Sequence, residues 1–427
     1  MDELEEYRLH RRILCIDLKS FYASVECAIT GLDPFKTPLV VADKERGPGS
    51  IILAVSPYLR NKGVPSRLRI SELQRLVPNE EIIYRKPSMR LYLEYSSKVV
   101  GIYLKYLSKE DIHIYSVDEC FLDFTDYSKI YRISNKTLAK RILKDIRDEL
   151  NLTATCGIGP NMLLSKLALD IESKKAKDFI AEWDYKDIEE KLWPVTPLNK
   201  MWGIGSRMVI KLNQMGLFKI GDIANYDKDK LKKKFGVIGE ELWYHTHGID
   251  MSLISEAKYY KPKSKSYGIS QVLFRDYHDD ETLQIIREMT DDLCARLRLA
   301  HKKGTTFALG INYSKEVGGG FGRQISFETP TFNEDVIFNA FKEVFRRYYD
   351  LSPVRRVSVS VTKLVDASLE QLNLFVSTEK AYKAEKLAYS LDKIRHKMGN
   401  NSVMRASSKL EASTREERNK QIGGHNA

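Results

Sequence analysis

The stretch ILCIDLKSFYASVE, residues 13–26, combines two patterns that decide the fold around it. Four apolar residues, Ile13 to Ile16, form a run of strand length, and Asp17 follows them directly. From Ser20 onward, apolar residues recur at helical spacing as far as Gly31. The segment therefore predicts a buried strand that ends in a carboxylate and leads into a helix.

A second acidic site lies in IHIYSVDECFLDF, residues 112–124. Two apolar runs flank Asp118 and Glu119, which is the pattern of a β-hairpin with the acidic pair at its tip. Carboxylates are poor neighbours for apolar strands unless they reach water, a cation or hydrogen-bond donors. The simplest alternative is that Asp17 caps a helix and that Asp118 and Glu119 only make the turn.

Phosphoryl chemistry gives these carboxylates a second interpretation. If the strands are neighbours, Asp17, Asp118 and Glu119 form a cluster whose mutual repulsion a pair of Mg²⁺ ions could relieve. Two such ions about 4 Å apart can clamp the attacking and leaving oxygens of an in-line displacement.

The remaining chain divides by its patterns into further regions. Residues 1–183 alternate strand and helix, which predicts an α+β sheet domain. Short helices broken by glycine follow over 184–250, and a linker rich in lysine and proline covers 251–263. Residues 264–366 read β-α-β-β-α-β, the split βαβ order. The tail, 367–427, holds an amphipathic helix with one apolar stripe and then polar residues expected to be loosely ordered; the stripe contains Leu387, Leu391, Ile394 and Met398.

Composition sets limits on the class of protein. A chain of 427 residues with 43% hydrophobic and 30% charged residues is globular and not disordered. No apolar run approaches about 18 residues, and the N-terminus lacks an apolar signal region, so we expect a cytoplasmic protein without a membrane span. The net charge of +11 suits a polyanionic partner but does not assign one. Five scattered cysteines indicate reduced thiols, with no zinc site or disulfide framework.

Two motifs, DLKSFYASVE at 17–26 and SVDECFLD at 116–123, closely resemble the signature motifs of the Y family of DNA polymerases, the translesion enzymes. The resemblance continues through TCGIGPNMLLSK at 155–166 and into the tail, so it covers nearly the whole chain. Within the family, the chain looks most like the UmuC-like branch, the type of the polymerase V catalytic subunit.

The resemblance implies a right-hand polymerase. Its palm would be residues 1–183, with small fingers inserted at about 22–85, followed by a helical thumb at 184–250 and a little finger at 264–366. Asp17 and Asp118 would ligate two Mg²⁺ ions, joined by the Leu18 carbonyl, and Glu119 would complete the site where the primer 3′ hydroxyl attacks.

Nucleotide contacts follow from the same resemblance. Tyr22 matches the family's steric gate, whose ring leaves no room for a ribose 2′-OH, while the neighbouring Phe21 is expected to pack. Lys166 falls where the family contacts the β and γ phosphates, and Arg60 matches its fingers arginine. The tyrosine expected three residues before Arg60 is here a proline, so either Tyr58 takes over its phosphate contact or that contact is lost.

The thumb and tail offer contacts to larger partners. Two loops, containing Gly203 with Gly205 and Gly236 with Gly239, resemble helix-hairpin-helix elements that present backbone N–H groups to DNA phosphates. The alternative is an ordinary interhelical turn. The peptide QLNLF resembles a motif that binds the replication sliding clamp. Its proposed anchors are Gln371, Leu372, Leu374 and Phe375.

The sequence thus predicts a DNA-templated, error-prone translesion polymerase without proofreading, acting in damage tolerance of the SOS type. Its partners would be primer-template DNA, deoxynucleoside triphosphates and the clamp; accessory subunits or a recombinase filament are left open. The alternatives are a catalytically degenerate scaffold that binds DNA and clamp, and another two-metal enzyme on a similar palm, such as a nucleotide cyclase. Intact Asp17, Asp118 and Glu119 count against the scaffold.

Overall fold

The computed structural model describes residues 4–260, 262, 265–367 and 378–426. The chain divides into two compact units, Met1–Tyr260 and Lys261–Ala427. Within the described ranges, no helix has both the length and the apolar character needed to cross a membrane.

The first unit contains eight strands and eleven α-helices among its described residues. The strands are β1 (Ile13–Leu18), β2 (Leu39–Val41), β3 (Ala54–Val55), β4 (Ile83–Arg85), β5 (Ile112–Ile114), β6 (Glu119–Asp123), β7 (Ala154–Gly159) and β8 (Ile180–Glu182). The helices are α1 (Phe21–Ile29), α2 (Pro57–Asn61), α3 (Ile70–Leu76), α4 (Met89–Tyr103), α5 (Ser128–Tyr131), α6 (Asn135–Leu150), α7 (Met162–Leu167), α8 (Ser206–Asn213), α9 (Ile220–Ala224), α10 (Lys228–Phe235) and α11 (Val237–Thr246).

A five-stranded sheet in the order β5-β6-β1-β7-β8 forms the centre of this unit. Strand β1 pairs antiparallel with β6 on one side and β7 on the other, while β7 and β8 run parallel. Helices α1, α4 and α6 bury their apolar faces in the same core as β1. The predicted α+β sheet domain is confirmed.

The hairpin of β5 and β6 differs from its prediction in one detail. Glu119 was expected at the tip with Asp118, but it is the first residue of β6 and pairs with β1. The turn is instead made by residues 115–118, because the amides of Tyr115 and Ser116 both donate to the Glu119 carbonyl. The strand therefore begins one residue after Asp118.

A smaller three-stranded sheet, β3-β2-β4, lies between α1 and α4 in the chain. It packs with α2 and α3 around its own apolar cluster, which includes Val40, Ile52 and Leu59. The apolar run 51–55 forms a strand only at its end, because Ile51 is 59% exposed and makes an isolated bridge to Arg69. This small region holds residues 39–85 of the segment 22–85 that the sequence assigned to the fingers, whereas α1 at the start of that segment packs in the core of the five-stranded sheet.

The second unit has the predicted β-α-β-β-α-β order. It runs β9 (Tyr267–Tyr277), α12 (Asp279–Leu299), β10 (Lys302–Tyr313), β11 (Gly320–Thr331), α13 (Glu334–Tyr348) and β12 (Val354–Asp366). The sheet order is β11-β10-β12-β9, with every neighbouring pair antiparallel. Helices α12 and α13 cover one face of this sheet and share its core.

The tail is more ordered than its polar composition suggested. Helix α14 (Thr378–Met398) is followed by α15 (Arg415–Asn419) and a short hairpin of β13 (Gln421–Ile422) and β14 (His425–Asn426). Arg415, only 3% exposed, pairs with Asp291 and Asp292 on α12, and Arg418 also pairs with Asp292. The expectation of a loose end after residue 401 was wrong, because arginines there neutralise carboxylates of α12.

Helix α14 contacts α12 through a charged residue and leaves much of its predicted apolar stripe exposed. Its Asp392 receives two hydrogen bonds from the buried Arg298 of α12, at 2.6 and 3.2 Å. Leu387 and Met398 of the predicted apolar stripe are 59% and 72% exposed. The sequence left open whether this stripe packs on the body, and much of it does not. The predicted clamp peptide, residues 371–375, lies outside the described residues.

All five cysteines of the chain are unpaired and buried. They are Cys15, Cys27, Cys120, Cys156 and Cys294. Burial is the main cause that raises the pKa of each thiol. The expected set of reduced, buried thiols is confirmed.

Candidate active site

The three carboxylates singled out by the sequence come together at one end of β1. Asp17 lies directly opposite Glu119 in the pairing of β1 with β6. The amide of Leu18 donates to the carbonyl of Asp118 at 2.9 Å, which ties the backbones of the two acidic segments. The Cys15 thiol donates to Glu119 Oε1 at 3.2 Å. Paired strands therefore position Asp17 and Glu119, and the turn before β6 positions Asp118 beside them.

Two lysines hold this cluster through a fourth carboxylate. Lys166 Nζ lies 2.7 Å from Glu119 Oε1 and 3.0 Å from Asp170 Oδ2. Lys174 Nζ lies 3.1 Å from Asp17 Oδ2 and 2.7 Å from Asp170 Oδ1. Asp170 thus stands between the two ammonium groups, and Glu119 and Asp17 are each paired with one of them.

Burial and charge act on these groups in opposite directions. Burial raises the pKa of Asp17 to about 6; Lys174 opposes the shift and the charge of Asp118 adds to it. Burial alone would lower the pKa of Lys166, but its hydrogen bond to Glu119 and the nearby carboxylate charges raise it instead. The cluster therefore carries more carboxylate charge than its surroundings easily hold.

This chemistry fits a hard cation. Carboxylate and carbonyl oxygens are the ligands that Mg²⁺ prefers, and Asp17, Glu119 and the Leu18 backbone lie side by side on paired strands. Across the described ranges, however, no three histidine, cysteine or acidic side chains converge as a finished set of ligands. Lysines pair with Asp17 and Glu119, while Ser116 Oγ donates to Asp118 Oδ1 at 2.6 Å. The donor types fit, and these partners must release the carboxylates for a cation to bind.

Close packing places Lys166 against this cluster. Gly157 and Gly159 of β7 lie directly beneath α7, the helix that carries Lys166. A Cβ at Gly157 would stand 2.0 Å from the Ser165 carbonyl oxygen and 2.3 Å from the Leu169 nitrogen. A Cβ at Gly159 would lie 2.6 Å from the Ser165 nitrogen. Glycine is needed at both positions because the helix backbone touches the strand backbone.

The two aromatic residues after β1 have different environments. Phe21 is 3% exposed and belongs to the core, as expected. Tyr22 is partly exposed on α1, and its ring stacks on that of Tyr92. Burial raises the pKa of Tyr22, and the charge of Asp118 acts in the same direction while that of Arg67 opposes it. Tyr22 therefore lies close enough to the acidic cluster to sense its charge.

The fingers residues occupy α2. The Tyr58 hydroxyl donates to Glu80 Oε2 at 3.2 Å, and Lys62 Nζ lies 4.6 Å from the centre of its ring. Arg60 is exposed and donates from Nη1 to the Val64 carbonyl at 3.3 Å. The Tyr58 hydroxyl is thus bound to its own subdomain, and a phosphate contact would require it to leave Glu80.

The thumb glycines divide into two groups. Gly203 and Gly236 have positive φ angles of 91° and 70°, and Gly205 precedes the first residue of α8. These three are exposed, which suits a backbone that approaches another molecule. Gly239 is buried, its amide donates to the Gly236 carbonyl, and a Cβ there would lie 2.2 Å from the Leu231 carbonyl oxygen. Helix packing explains this last glycine.

Lys174 and Asp170 were missed by the sequence reasoning. Lys174 lies in the polar run SKKAK, which is typical of a solvated loop. A π-helical turn over Ala168–Glu172 follows α7 and brings Asp170 and Lys174 back onto the carboxylates. The spacing of four residues from Lys166 to Asp170 and from Asp170 to Lys174, one helical face, was the available signal.

Family models match three parts of the chain. Residues 16–170 match the impB/mucB/samB family, and residues 264–374 match its C-terminal domain. Residues 199–250 match a model described as the thumb domain of DNA polymerase iota.

Individual relatives cover almost the whole chain. UvrX of Bacillus subtilis strain 168, a protein named for UV-damage repair, is 40% identical over 419 residues, which is 97% of both chains. DNA polymerase IV 2 of the same strain is 34% identical over 418 residues, 97% of this chain and 98% of that protein. A solved Y-family DNA polymerase chimera of Dbh and Dpo4 has a TM-score of 0.65 at 20% identity, and the match covers 83% of this chain and 99% of the chimera. That last likeness concerns the fold.

Proposed function

The chain belongs to the impB/mucB/samB family, the Y family of DNA polymerases, and from that premise we propose that it performs error-prone translesion synthesis by two-metal-ion catalysis. As a DNA-directed DNA polymerase it extends a primer along a template. The finer proposal adds Mg²⁺ as the metal, tolerance of damaged templates and the lack of proofreading.

The pairing of Asp17 with Glu119, beside Asp118, is the observation that carries the two-metal proposal. Two carboxylates on paired strands and a third in the adjoining turn are costly unless a cation or a donor compensates them. Mg²⁺ ions bound there would help to deprotonate the primer hydroxyl and neutralise charge that grows on the triphosphate. Until the substrate complex forms, the ion pairs with Lys166 and Lys174 would offset the repulsion between the carboxylates.

The chain's own residues have separable roles in this proposal. Asp17, Asp118 and the Leu18 carbonyl would hold the two metal ions, and Glu119 would complete the site where the primer 3′ hydroxyl attacks. Lys166 and Lys174 offer positive charge to phosphate oxygens once their carboxylate partners turn to other ligands. Arg60, exposed on α2, adds a planar guanidinium from the fingers.

Tyr22 is proposed as the gate that selects deoxyribose. Tyr22 is the second residue of α1 and follows Asp17 by five residues in the chain. Its ring is partly exposed and lies near enough to Asp118 to feel its charge. A ring at this position would occupy the space that a 2′-OH requires. A small fingers region of two short helices and three short strands leaves little material to enclose the nascent pair, which supports low fidelity.

Primer extension tests the catalytic proposal. Wild-type protein, Asp118→Ala and the control Asp126→Ala, which alters an exposed aspartate, would be compared on undamaged and lesion-containing templates with Mg²⁺. We expect extension by wild type and control, and a loss of at least about 10²-fold in Asp118→Ala. Equal extension by wild type and Asp118→Ala would remove the carboxylate cluster from catalysis. No extension by wild type on any template would favour the scaffold alternative.

DNA and clamp are the proposed macromolecular partners. Exposed Gly203, Gly205 and Gly236 would present the thumb backbone to DNA phosphates without reading sequence. Residues 371–375 would tether the enzyme to the sliding clamp, which raises the local concentration of a weak DNA binder. The net charge of +11 suits loose, salt-sensitive DNA binding.

A further inference from the structure

The ring of Tyr22 rests against a second tyrosine from another helix. Tyr92 lies in α4, and its ring centre is 4.4 Å from that of Tyr22 with an angle of 18° between the planes. Tyr92 is completely buried, whereas Tyr22 is partly exposed. One face of the Tyr22 ring is therefore covered by a flat neighbour that solvent does not reach.

Tyr92 is itself held by a carboxylate one turn below Tyr22. Its hydroxyl donates to Glu26 Oε1 at 2.7 Å, and Glu26 is 5% exposed. Tyr22 and Glu26 are four residues apart on α1, so they share one face of that helix. Tyr92 thus contacts α1 twice, through its ring at Tyr22 and through its hydroxyl at Glu26. Burial, followed by this hydrogen bond, raises the pKa of Tyr92, which keeps the hydroxyl as a donor.

Such an arrangement bears on sugar selection. A gate rejects a 2′-OH only if its ring stays in place when the hydroxyl presses on it. An isolated tyrosine can relieve that pressure by rotating about χ1 to another staggered rotamer. A ring stacked on a buried, hydrogen-bonded partner must first lose the stacking contact, so displacement becomes costlier.

We propose that Tyr92 and Glu26 are positioning residues that hold Tyr22 where it discriminates between deoxyribose and ribose. The proposal rests on the gate role of Tyr22 given under the proposed function. Tyr92 acts through its ring on the gate, and Glu26 acts through the Tyr92 hydroxyl. Neither residue needs to touch the nucleotide.

The test measures insertion of dCTP and of CTP opposite a templating guanine, and takes the ratio of the two kcat/KM values. Tyr22→Ala reports on the gate itself. Tyr92→Leu removes the stacked ring, Tyr92→Phe removes only the hydroxyl, and Glu26→Gln keeps an oxygen that can accept its hydrogen bond. Tyr103→Phe, a buried tyrosine about three turns further along α4, is the matched control.

We expect Tyr22→Ala to give the largest fall in the sugar discrimination ratio. Tyr92→Leu should lower the ratio about three- to tenfold, the range that the loss of an aromatic pair implies, chiefly by improving kcat/KM for CTP. Tyr92→Phe should lower it about twofold because the stack remains while its hydrogen bond is lost. Glu26→Gln should lower it less than Tyr92→Phe does, because the amide oxygen still accepts a weaker hydrogen bond, and Tyr103→Phe should leave it unchanged.

A double variant distinguishes positioning of the Tyr22 ring from a general effect on packing. If Tyr92 acts only through the gate, Tyr22→Ala combined with Tyr92→Leu should discriminate no worse than Tyr22→Ala alone. A further fall in the double variant would overturn the proposal. Wild-type discrimination ratios in both Tyr92→Leu and Tyr92→Phe would also overturn the proposal. If Tyr92→Leu does not fold, a wild-type ratio in Tyr92→Phe alone overturns it. An unchanged ratio in Tyr22→Ala would instead reject the gate itself.

Discussion

Asp17 lies directly opposite Glu119 in the pairing of β1 with β6, and the two carboxylates are held by different lysines. The lysines neutralise part of the carboxylate charge, although burial still raises the pKa of Asp17 to about 6. Each carboxylate has one ammonium partner, and Asp170 is shared between the two lysines. The strand pairing fixes the backbone positions of Asp17 and Glu119, while the ion pairs with the lysines orient their side chains.

The pKa of Asp17 predicts a pH-dependent stability in metal-free buffer. Burial raises it from 3.8 to about 6, so the folded protein holds this proton more tightly than the unfolded chain. The stabilisation is complete below about pH 4 and is lost as the pH rises through about 6, amounting to at most about 3 kcal/mol. Asp17→Asn should therefore gain unfolding free energy relative to wild type between about pH 4 and pH 7.

Urea unfolding with a chelator at several pH values measures this difference. Tryptophan fluorescence reports on the correct unit, because all four tryptophans of the chain lie between residues 183 and 243. Asp126→Asn, at an exposed site, is the control and should follow wild type at every pH. A difference between Asp17→Asn and wild type that does not vary with pH would contradict the assignment.

Lys174→Met should impair catalysis even though this lysine lies outside the sequence motifs. It removes the ammonium that pairs with Asp17 and Asp170. Loss of one preorganised charge from a phosphoryl-transfer site should lower kcat/KM for nucleotide insertion about tenfold to a hundredfold. Single-nucleotide insertion kinetics would measure the change. Lys175→Met, an exposed neighbour, is the matched control, and equal rates in both variants would exclude Lys174 from the site.

Gly157→Ala should destabilise the first unit by about 1–3 kcal/mol or more, because a methyl group there meets the backbone of α7 and of the following turn. Lys166 should shift with that backbone, so nucleotide insertion should fall as well. Gly101→Ala offers a contrast, since a Cβ there meets nothing within 4 Å and alanine favours the interior of α4 by about 0.5–1 kcal/mol. Urea unfolding should move in opposite directions in the two variants; similar shifts would rule out the packing explanation.

Arg415→Met should loosen the second unit. It leaves Asp291, which is 4% exposed, and Asp292 without one of their cations, and breaking a buried pair on one side costs about 3–5 kcal/mol. Amide hydrogen exchange in α12 should therefore become faster. Arg347→Met, at an exposed position on α13, should leave it unchanged. Protection of α12 that is equal in the two variants would show that the tail contributes little.

Deletion of residues 371–375 should abolish the stimulation of synthesis by the sliding clamp. The peptide is proposed to act only as a tether, so distributive synthesis without clamp should keep its wild-type rate. Primer extension with and without a loaded clamp measures both quantities. Substitution of Gln371 and Phe375 by alanine is the milder variant, and continued stimulation in both would place the clamp contact elsewhere.

Much of this molecule could be predicted from local patterns. The apolar run that ends in Asp17 and the paired runs around Asp118 predicted the sheet and its acidic end, because strand length and period are local properties. Glu119 was misplaced by one residue, since the choice of where a turn ends depends on which amides find partners. Lys174 escaped notice because its role depends on a π-helical turn that no local pattern announces.

The tail shows which contacts could not be predicted from local patterns. After residue 401 the sequence is polar, and polarity normally indicates solvent exposure. Arg415 and Arg418 are instead satisfied by carboxylates more than one hundred residues earlier in the chain. Pairings at that separation cannot be inferred from one sequence, because each partner alone looks like a typical surface residue.

The burial of every cysteine has a chemical consequence for a protein of DNA repair. Oxidants attack the thiolate form and require access to it. All five thiols are buried, and burial raises the pKa of each, so almost none is ionised at neutral pH. The five thiols therefore offer peroxides almost no reactive thiolate, and oxidation of sulfur should fall first on exposed methionines such as Met251 and Met398.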